Sequence, residues 1–259
     1  DATFAVIWDT AVPDPPVVKA QLDGRIDFLA QNVRDFDFGD PVFEGHTLRK
    51  MNGVTVAIIG QAFPYTPIAN PSYFTEGWTF GIQDSRMQEM VDEVRTEESA
   101  DVVVVLSHNG MDVDLKMASR VSGIDIIFGG HTHDGMPRPV KVKNVEGHDC
   151  LVTNAGSNGK YVGIMDFEVT DGKLENLVAN IDAFDERPDG PAIVLDVADK
   201  KAVGAAVQEV IDGLGGLLRT GVLVQPQAHR VQFAFQGLEA QSLVGGFQRH
   251  EHAVTVAAE

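Results

Sequence analysis

The sequence predicts a layered α/β fold with a largely parallel central sheet, and three short apolar runs carry that expectation. Residues 54–60 read Val-Thr-Val-Ala-Ile-Ile-Gly, residues 102–106 Val-Val-Val-Val-Leu and residues 124–128 Ile-Asp-Ile-Ile-Phe. Each is β-branched and too short to cross a membrane, so each reads as a strand buried on both faces. Helical patterns separate them. One covers 83–95, with Met87, Met90, Val91 and Val94 on one face, and another covers 113–121. Strand–helix–strand alternation is how a parallel sheet is written in sequence. In such sheets ligands bind in loops at the C-terminal ends of the strands.

The remaining elements follow in order. Residues 26–33 read as a short strand, and the turn pair Asn52-Gly53 opens the run at 54–60. Residues 61–81 form a long, proline-rich loop. Strands are expected at 151–154 and 161–169, the second ending at Asp171-Gly172. Residues 201–218 have the spacing of an amphipathic helix. Neither 1–24, with Pro13, Pro15 and Pro16, nor 225–259 shows a sustained period. The chain thus divides into an atypical N-terminal stretch (1–24), a main α/β domain (25–185) and an atypical C-terminal region (186–259).

A length of 259 residues suffices for one substantial core. With 38 acids against 20 bases the net charge is −18, which disfavours nucleic acid and anionic membrane surfaces as partners. The single cysteine, Cys150, leads into an apolar run and reads as a small buried residue; it forms no internal disulfide. No apolar run is long enough for a membrane-spanning helix, and no signal peptide is visible in a chain that starts at Asp1.

Two segments carry chemistry. Leu106-Ser107-His108-Asn109-Gly110 places an imidazole directly after a buried strand; alone, it reads as a loop or capping histidine. Gly129-Gly130-His131-Thr132-His133 follows the next buried strand. In extended backbone, residues i and i+2 share a face, which would aim both imidazoles into one cleft. Alone, that segment reads as a turn with exposed histidines. Together they put three of the chain's eight histidines at the ends of two consecutive strands, a pattern that points to a metal site. Asp134 reads either as a carboxylate orienting an imidazole or as a helix N-cap. His46, His229, His250 and His252 lie in no ligand pattern, and Gly213-Leu214-Gly215-Gly216 lacks the spacing of a dinucleotide fingerprint. Arg49-Lys50 reads as a solvated pair, and Phe74, Trp78 and Phe80 as packing anchors.

Strand–Ser-His-x-Gly, helix, strand–Gly-Gly-His-Thr-His resembles the closing half of the calcineurin-like metallophosphoesterase domain, in particular its 5′-nucleotidase-like branch. Within that branch the wording is most similar to the SoxB thiosulfohydrolases, through 26–32, the Phe63-Pro64-Tyr65-Thr66-Pro67 segment within 60–71, 106–135 and 153–160. The resemblance covers about 25–185 and implies a metallophosphoesterase-like fold. It implies that His108 and His131 bind one metal ion and His133 a second, the ions being manganese, with zinc the alternative. It places Asn154, Asn158 and Lys160 in a glycine-rich turn beside the substrate, although a plain turn between strands fits those residues equally. The implied function is release of sulfate from a cysteine-bound thiosulfonate on a sulfur-carrier protein, in the periplasm. The alternatives are a 5′-nucleotidase or phosphoester hydrolase of the same fold, or a non-catalytic remnant of it. The family's Asp-x-His, Gly-Asp and Gly-Asn-His segments, its bridging Asp and its transition-state His have no counterpart here. The catalytic residues are therefore unassigned, and these 259 residues alone are expected to bind metal weakly, at no more than one well-formed site, and to be inactive.

Overall fold

Four strands run parallel through the middle of a six-stranded sheet. The computed structural model describes residues 2–5, 27–156, 163–170, 173–180, 229–244 and 247–258. The sheet joins β4 (His46–Met51), β5 (Val54–Gln61), β7 (Val102–Ser107), β8 (Ile126–Gly129), β10 (Asp149–Asn154) and β9 (Val140–Lys143), in that order. Strands β5, β7, β8 and β10 are mutually parallel, while β4 and β9 close the edges antiparallel. The three apolar runs are therefore adjacent strands, as expected.

Both faces of these strands are covered, which is why their sequences are apolar without alternation. On one face Ala57, Ile59, Val103, Val105, Ile127 and Val152 meet Met87, Met90, Val91 and Val94 of helix α2 (Asp84–Thr96) and Met117 and Ala118 of helix α3 (Met111–Arg120). On the other, Val56, Ile58, Val104, Leu106 and Phe128 meet Leu29, Val33 and the Met165, Phe167 and Val169 side chains of β11 (Gly163–Thr170). Strand β11 belongs to a second sheet of order β12-β11-β13-β14-β1-β2. Its other strands are β1 (Ala2–Ala5), β2 (Asp27–Phe28), β12 (Lys173–Asn180), β13 (His229–Val244) and β14 (Phe247–Ala258).

Several expectations need correction. The strand expected over 26–33 is only two residues long, β2. Beyond it the chain turns across the end of β5, where the Gln31 amide donates to the Gly60 carbonyl at 2.9 Å. The approach is so close that a Cβ at Gly60 would lie 2.1 Å from the Leu29 carbonyl oxygen. The loop over 61–81 contains a short helix α1 (Thr66–Ala69), a 3-10 turn (Ser72–Phe74) and β6 (Trp78–Thr79), which pairs with β3 (Arg34–Asp35). Within 225–259, where no period is visible, lie the two long paired strands β13 and β14. Arg49 is not merely solvated: it donates to Thr47 Oγ1, the Leu48 carbonyl and Asp27. The amphipathic pattern at 201–218 falls outside the described residues.

Two expectations about packing stand. Trp78 and Phe80 pack against the core, and Cys150 is buried, its thiol pushed far up by burial and by the nearby Asp125 and Asp114 carboxyls. Among the described residues no helix is long and apolar enough to cross a membrane.

Candidate metal centre

Because β5, β7, β8 and β10 are parallel, their last residues, Gln61, Ser107, Gly129 and Asn154, share one edge of the sheet. The loops that leave them bring together residues far apart in sequence. His108 follows β7, and its amide donates to the Gln61 carbonyl at 2.9 Å. Only 6% of it is exposed. His131, half-buried, comes from the loop after β8, and its ring centroid lies 5.2 Å from that of His108. Phe63, from the loop after β5, stacks on His131 at 3.9 Å and stands edge-on to His108 at 6.3 Å. Three loops thus hold an aromatic cluster with two imidazoles in contact.

The backbone carrying the second histidine segment is not extended. His131 and His133 both have positive φ, 71° and 59°. In that left-handed region the sharing of one face by i and i+2 does not apply, and His133 is exposed while His131 turns inward. Such conformations cost roughly 1–3 kcal/mol for a non-glycine residue and collect at functional sites. The loop is tied at several points. Thr132 Oγ1 accepts from the Met111 amide at 3.1 Å, at the start of α3, and donates to Asp134 Oδ2 at 2.5 Å. The Asp134 carbonyl accepts from the Gly156 amide. Asp134 therefore pins the loop, and it caps no helix, since the described residues directly after it, 135–156, form none. Gly110, at φ 95°, provides the clearance for this docking: a Cβ there would lie 3.0 Å from Thr132 Cγ2 and 3.6 Å from His131 Cδ2.

Asn154 is fully buried and uses its side chain on backbone, donating to the Gly130 carbonyl and accepting from the Gly156 amide. It braces the loop that bears His131. Asn158 and Lys160 lie outside the described residues.

Beneath the imidazoles runs a buried polar chain that the sequence did not reveal. Gln31 donates to Gln61 Oε1 at 2.6 Å, Gln61 donates to Asn109 Oδ1 at 3.0 Å, and Asn109 donates to Asp114 Oδ1 at 3.1 Å. Ser107 Oγ donates to the same Asp114 oxygen at 2.5 Å. Asp114 is fully buried on α3, and burial raises its carboxyl to about 7 against the opposing pull of Ser107 and Asn109. The available signal was indirect: polar residues at strand ends and an acid on the first turn of a helix.

The donor set fits a divalent transition metal in part. Neutral imidazoles are good ligands for manganese, iron and zinc, and His108 and His131 are close enough to share one ion. Among the described residues, however, no three His, Cys, Asp or Glu side chains stand grouped to hold a metal ion. What the described residues contribute is a prepared pair, His108 and His131, with His133 beside the second in sequence.

No protein-family model matches the chain. It is similar to a solved sulfate thiohydrolase SoxB from Thermus thermophilus, with a TM-score of 0.58 and 36% identity, covering 64% of this chain and 29% of that one. It is also similar to a 5′-nucleotidase precursor from the same organism, with a TM-score of 0.56 and 29% identity over 76% of this chain and 41% of that one. Among curated proteins, 124 residues are 32% identical to the Bacillus subtilis metallophosphoesterase YunD, covering 48% of this chain and 24% of that protein. A 5′-nucleotidase of Vibrio cholerae is 26% identical over 178 residues, 59% of this chain and 32% of that protein. The chain thus spans a quarter to a third of the length of these curated relatives. The fold is the α/β fold of the calcineurin-like metallophosphoesterases, and the similar proteins are of the 5′-nucleotidase-like kind.

Proposed function

We propose that this chain is part of a metal-dependent hydrolase that releases sulfate from a cysteine-bound thiosulfonate on a carrier protein. The observation that carries this reading is the 36% identity to a SoxB sulfate thiohydrolase, higher than the 29% identity to the 5′-nucleotidase precursor. The juxtaposed His108 and His131 add the start of a ligand set. In the reaction a water oxygen bonds to the terminal sulfone sulfur and the sulfur–sulfur bond breaks. The sulfur that remains on the carrier's cysteine leaves as a persulfide, Cys–S–S−, sulfate is released with the two protons of the water, and there is no net oxidation or reduction. Bound divalent ions, manganese with zinc the alternative, would supply charge neutralisation and an acidified water. His108 and His131 would hold one ion, and His133 would reach a second.

The residues here have their own tasks in that reading. Phe63 keeps water from one side of the His131 ring and fixes its plane. The tied loop of Thr132 and Asp134 presents His131 without further ordering. Asn154 keeps that loop on the sheet; Asn158 and Lys160, downstream of it, would contact the anionic headgroup. The net charge of −18 leaves a carrier protein a better partner than a polyanion, and the compartment proposed is the periplasm.

A second reading, phosphoester hydrolysis on a nucleotide, is favoured by the 5′-nucleotidase precursor, whose likeness extends over 76% of this chain. Both reactions attack a tetrahedral, anionic centre. The full-length protein containing this chain, loaded with Mn2+, should be offered a carrier with an S-thiosulfonated cysteine and, separately, AMP. Sulfate release with a kcat/KM at least about a hundredfold above phosphate release is expected. The reverse preference would assign the protein to the nucleotidases.

A further inference from the structure

One carboxyl side chain reaches both histidine-bearing loops from beneath. Asp114 projects from α3 into the sheet edge and is fully buried. Its Oδ1 accepts from Ser107 Oγ at 2.5 Å and from Asn109 Nδ2 at 3.1 Å. Those two residues flank His108 on either side, and the Asn109 amide also donates to Ser107 Oγ at 3.1 Å. The backbone around His108 is therefore tied to a single oxygen. The second oxygen lies against the next strand. A Cβ at Gly129 would sit 2.7 Å from Asp114 Oδ2, so only glycine leaves room for the carboxyl. Gly129 ends β8 and opens the loop that carries His131. Among the described residues Oδ2 has no hydrogen-bond partner, and neither does the buried Thr153 Oγ1. A helix that merely covered the sheet would carry an apolar side chain there, because burying a half-satisfied carboxyl is costly.

We propose that Asp114 is a positioning residue that sets the spacing of the two histidine loops and thereby the contact between the His108 and His131 rings. It touches no substrate and binds no metal. One oxygen clamps the residues on both sides of His108, and the other sets the clearance beneath the start of the His131 loop. The effect on ring geometry stands on these contacts alone; the effect on metal binding rests on the function proposed above.

The test uses the 259-residue chain and reads two signals: the nuclear Overhauser contact between the His108 and His131 ring protons, and the affinity for Co2+ from its visible absorption. Asp114→Asn keeps the shape and the accepting Oδ1, and should retain the ring contact and a Co2+ affinity within about twofold of the parent. Asp114→Ala removes the clamp, and should lose the contact and weaken Co2+ about 10–100-fold, the usual cost of losing an outer-shell partner. If that variant does not fold, Ser107→Ala deletes a single hydroxyl, and should weaken the contact and lower the affinity several-fold. A folded Asp114→Ala or Ser107→Ala chain with the ring contact and Co2+ affinity unchanged would overturn the proposal. A parent chain that binds no Co2+, with a ring contact that still depends on Asp114, would support the positioning role and sink the metal-site reading.

Discussion

Assayed alone with added Mn2+ or Zn2+, the 259-residue chain should release neither sulfate from a thiosulfonated carrier nor phosphate from a nucleotide. Catalysis of this kind uses metal charge both to generate the nucleophile and to neutralise the developing oxyanion. The described residues supply two touching imidazoles and no third grouped ligand. Removing members of a catalytic unit costs orders of magnitude, and the residues that remain do not recover the loss. Turnover should therefore fall at least about a thousandfold below the ~1–1000 per second usual for enzymes. Metal analysis after dialysis should find at most one equivalent per chain. Turnover in the normal enzymatic range, or two tightly held equivalents, would show that ligands lie elsewhere in the sequence. Activity that appears only when a segment bearing Asp-x-His and Asn-His ligands is joined to the chain would confirm the deficit as one of ligands.

The second large effect is on stability. The buried Asp114 carboxyl is raised to about 7 from 3.8, first by desolvation and slightly by the neighbouring Asp112, while Ser107 and Asn109 pull it back. Between about pH 4 and 7 the folded chain holds a proton there that the unfolded chain has released. Rising pH then favours unfolding: the stability is fully present below about pH 4 and is lost as pH climbs through the folded value. Asp125 is raised in the same sense by burial, against the pull of Arg95. Asp84 and Asp149, lowered by Arg120 and Lys143 respectively, act in the opposite sense. Asp114→Asn isolates the one group from the others. The neutral amide escapes the penalty, so its Tm relative to the parent should rise from about pH 4 to about pH 8 by about 10 °C, on the order of 4 kcal/mol. A difference in Tm that stays flat over that range would mean the carboxyl titrates normally.

Much of this molecule was legible for one reason: burial on both faces leaves a continuous apolar word. Val102 to Leu106 and Ile126 to Phe128 are such words, and the helices on either side of Val102–Leu106 are marked by their buried methionines and valines. Edge strands lack that signal. His46–Met51 carries Thr47, Arg49 and Lys50, and Val140–Lys143 alternates Val and Lys over four residues; each is half-covered and paired on one side only. His108 and His131 were legible as neighbours, since their rings do meet, but not as a geometry. Nothing in Gly-Gly-His-Thr-His announces left-handed backbone at two non-glycine positions, because tertiary ties at Thr132 and Asp134 impose it. Asp114 was invisible for a related reason. An acid in the first turn of a helix is ordinary electrostatics, and only the helix's placement over Gly129 shows that it points inward.

The left-handed backbone at His131 and His133 also bears on how such a protein would change under selection. A glycine or asparagine at either position would hold the same loop with less strain, a gain of roughly 1 kcal/mol in folding. On the ligand roles proposed for His131 and His133, heat resistance and imidazole retention thus pull in opposite directions at the same two codons. A population of variants screened for survival at high temperature alone should accumulate replacements there early, and the same screen run under a demand for turnover of the full-length protein should leave both codons untouched.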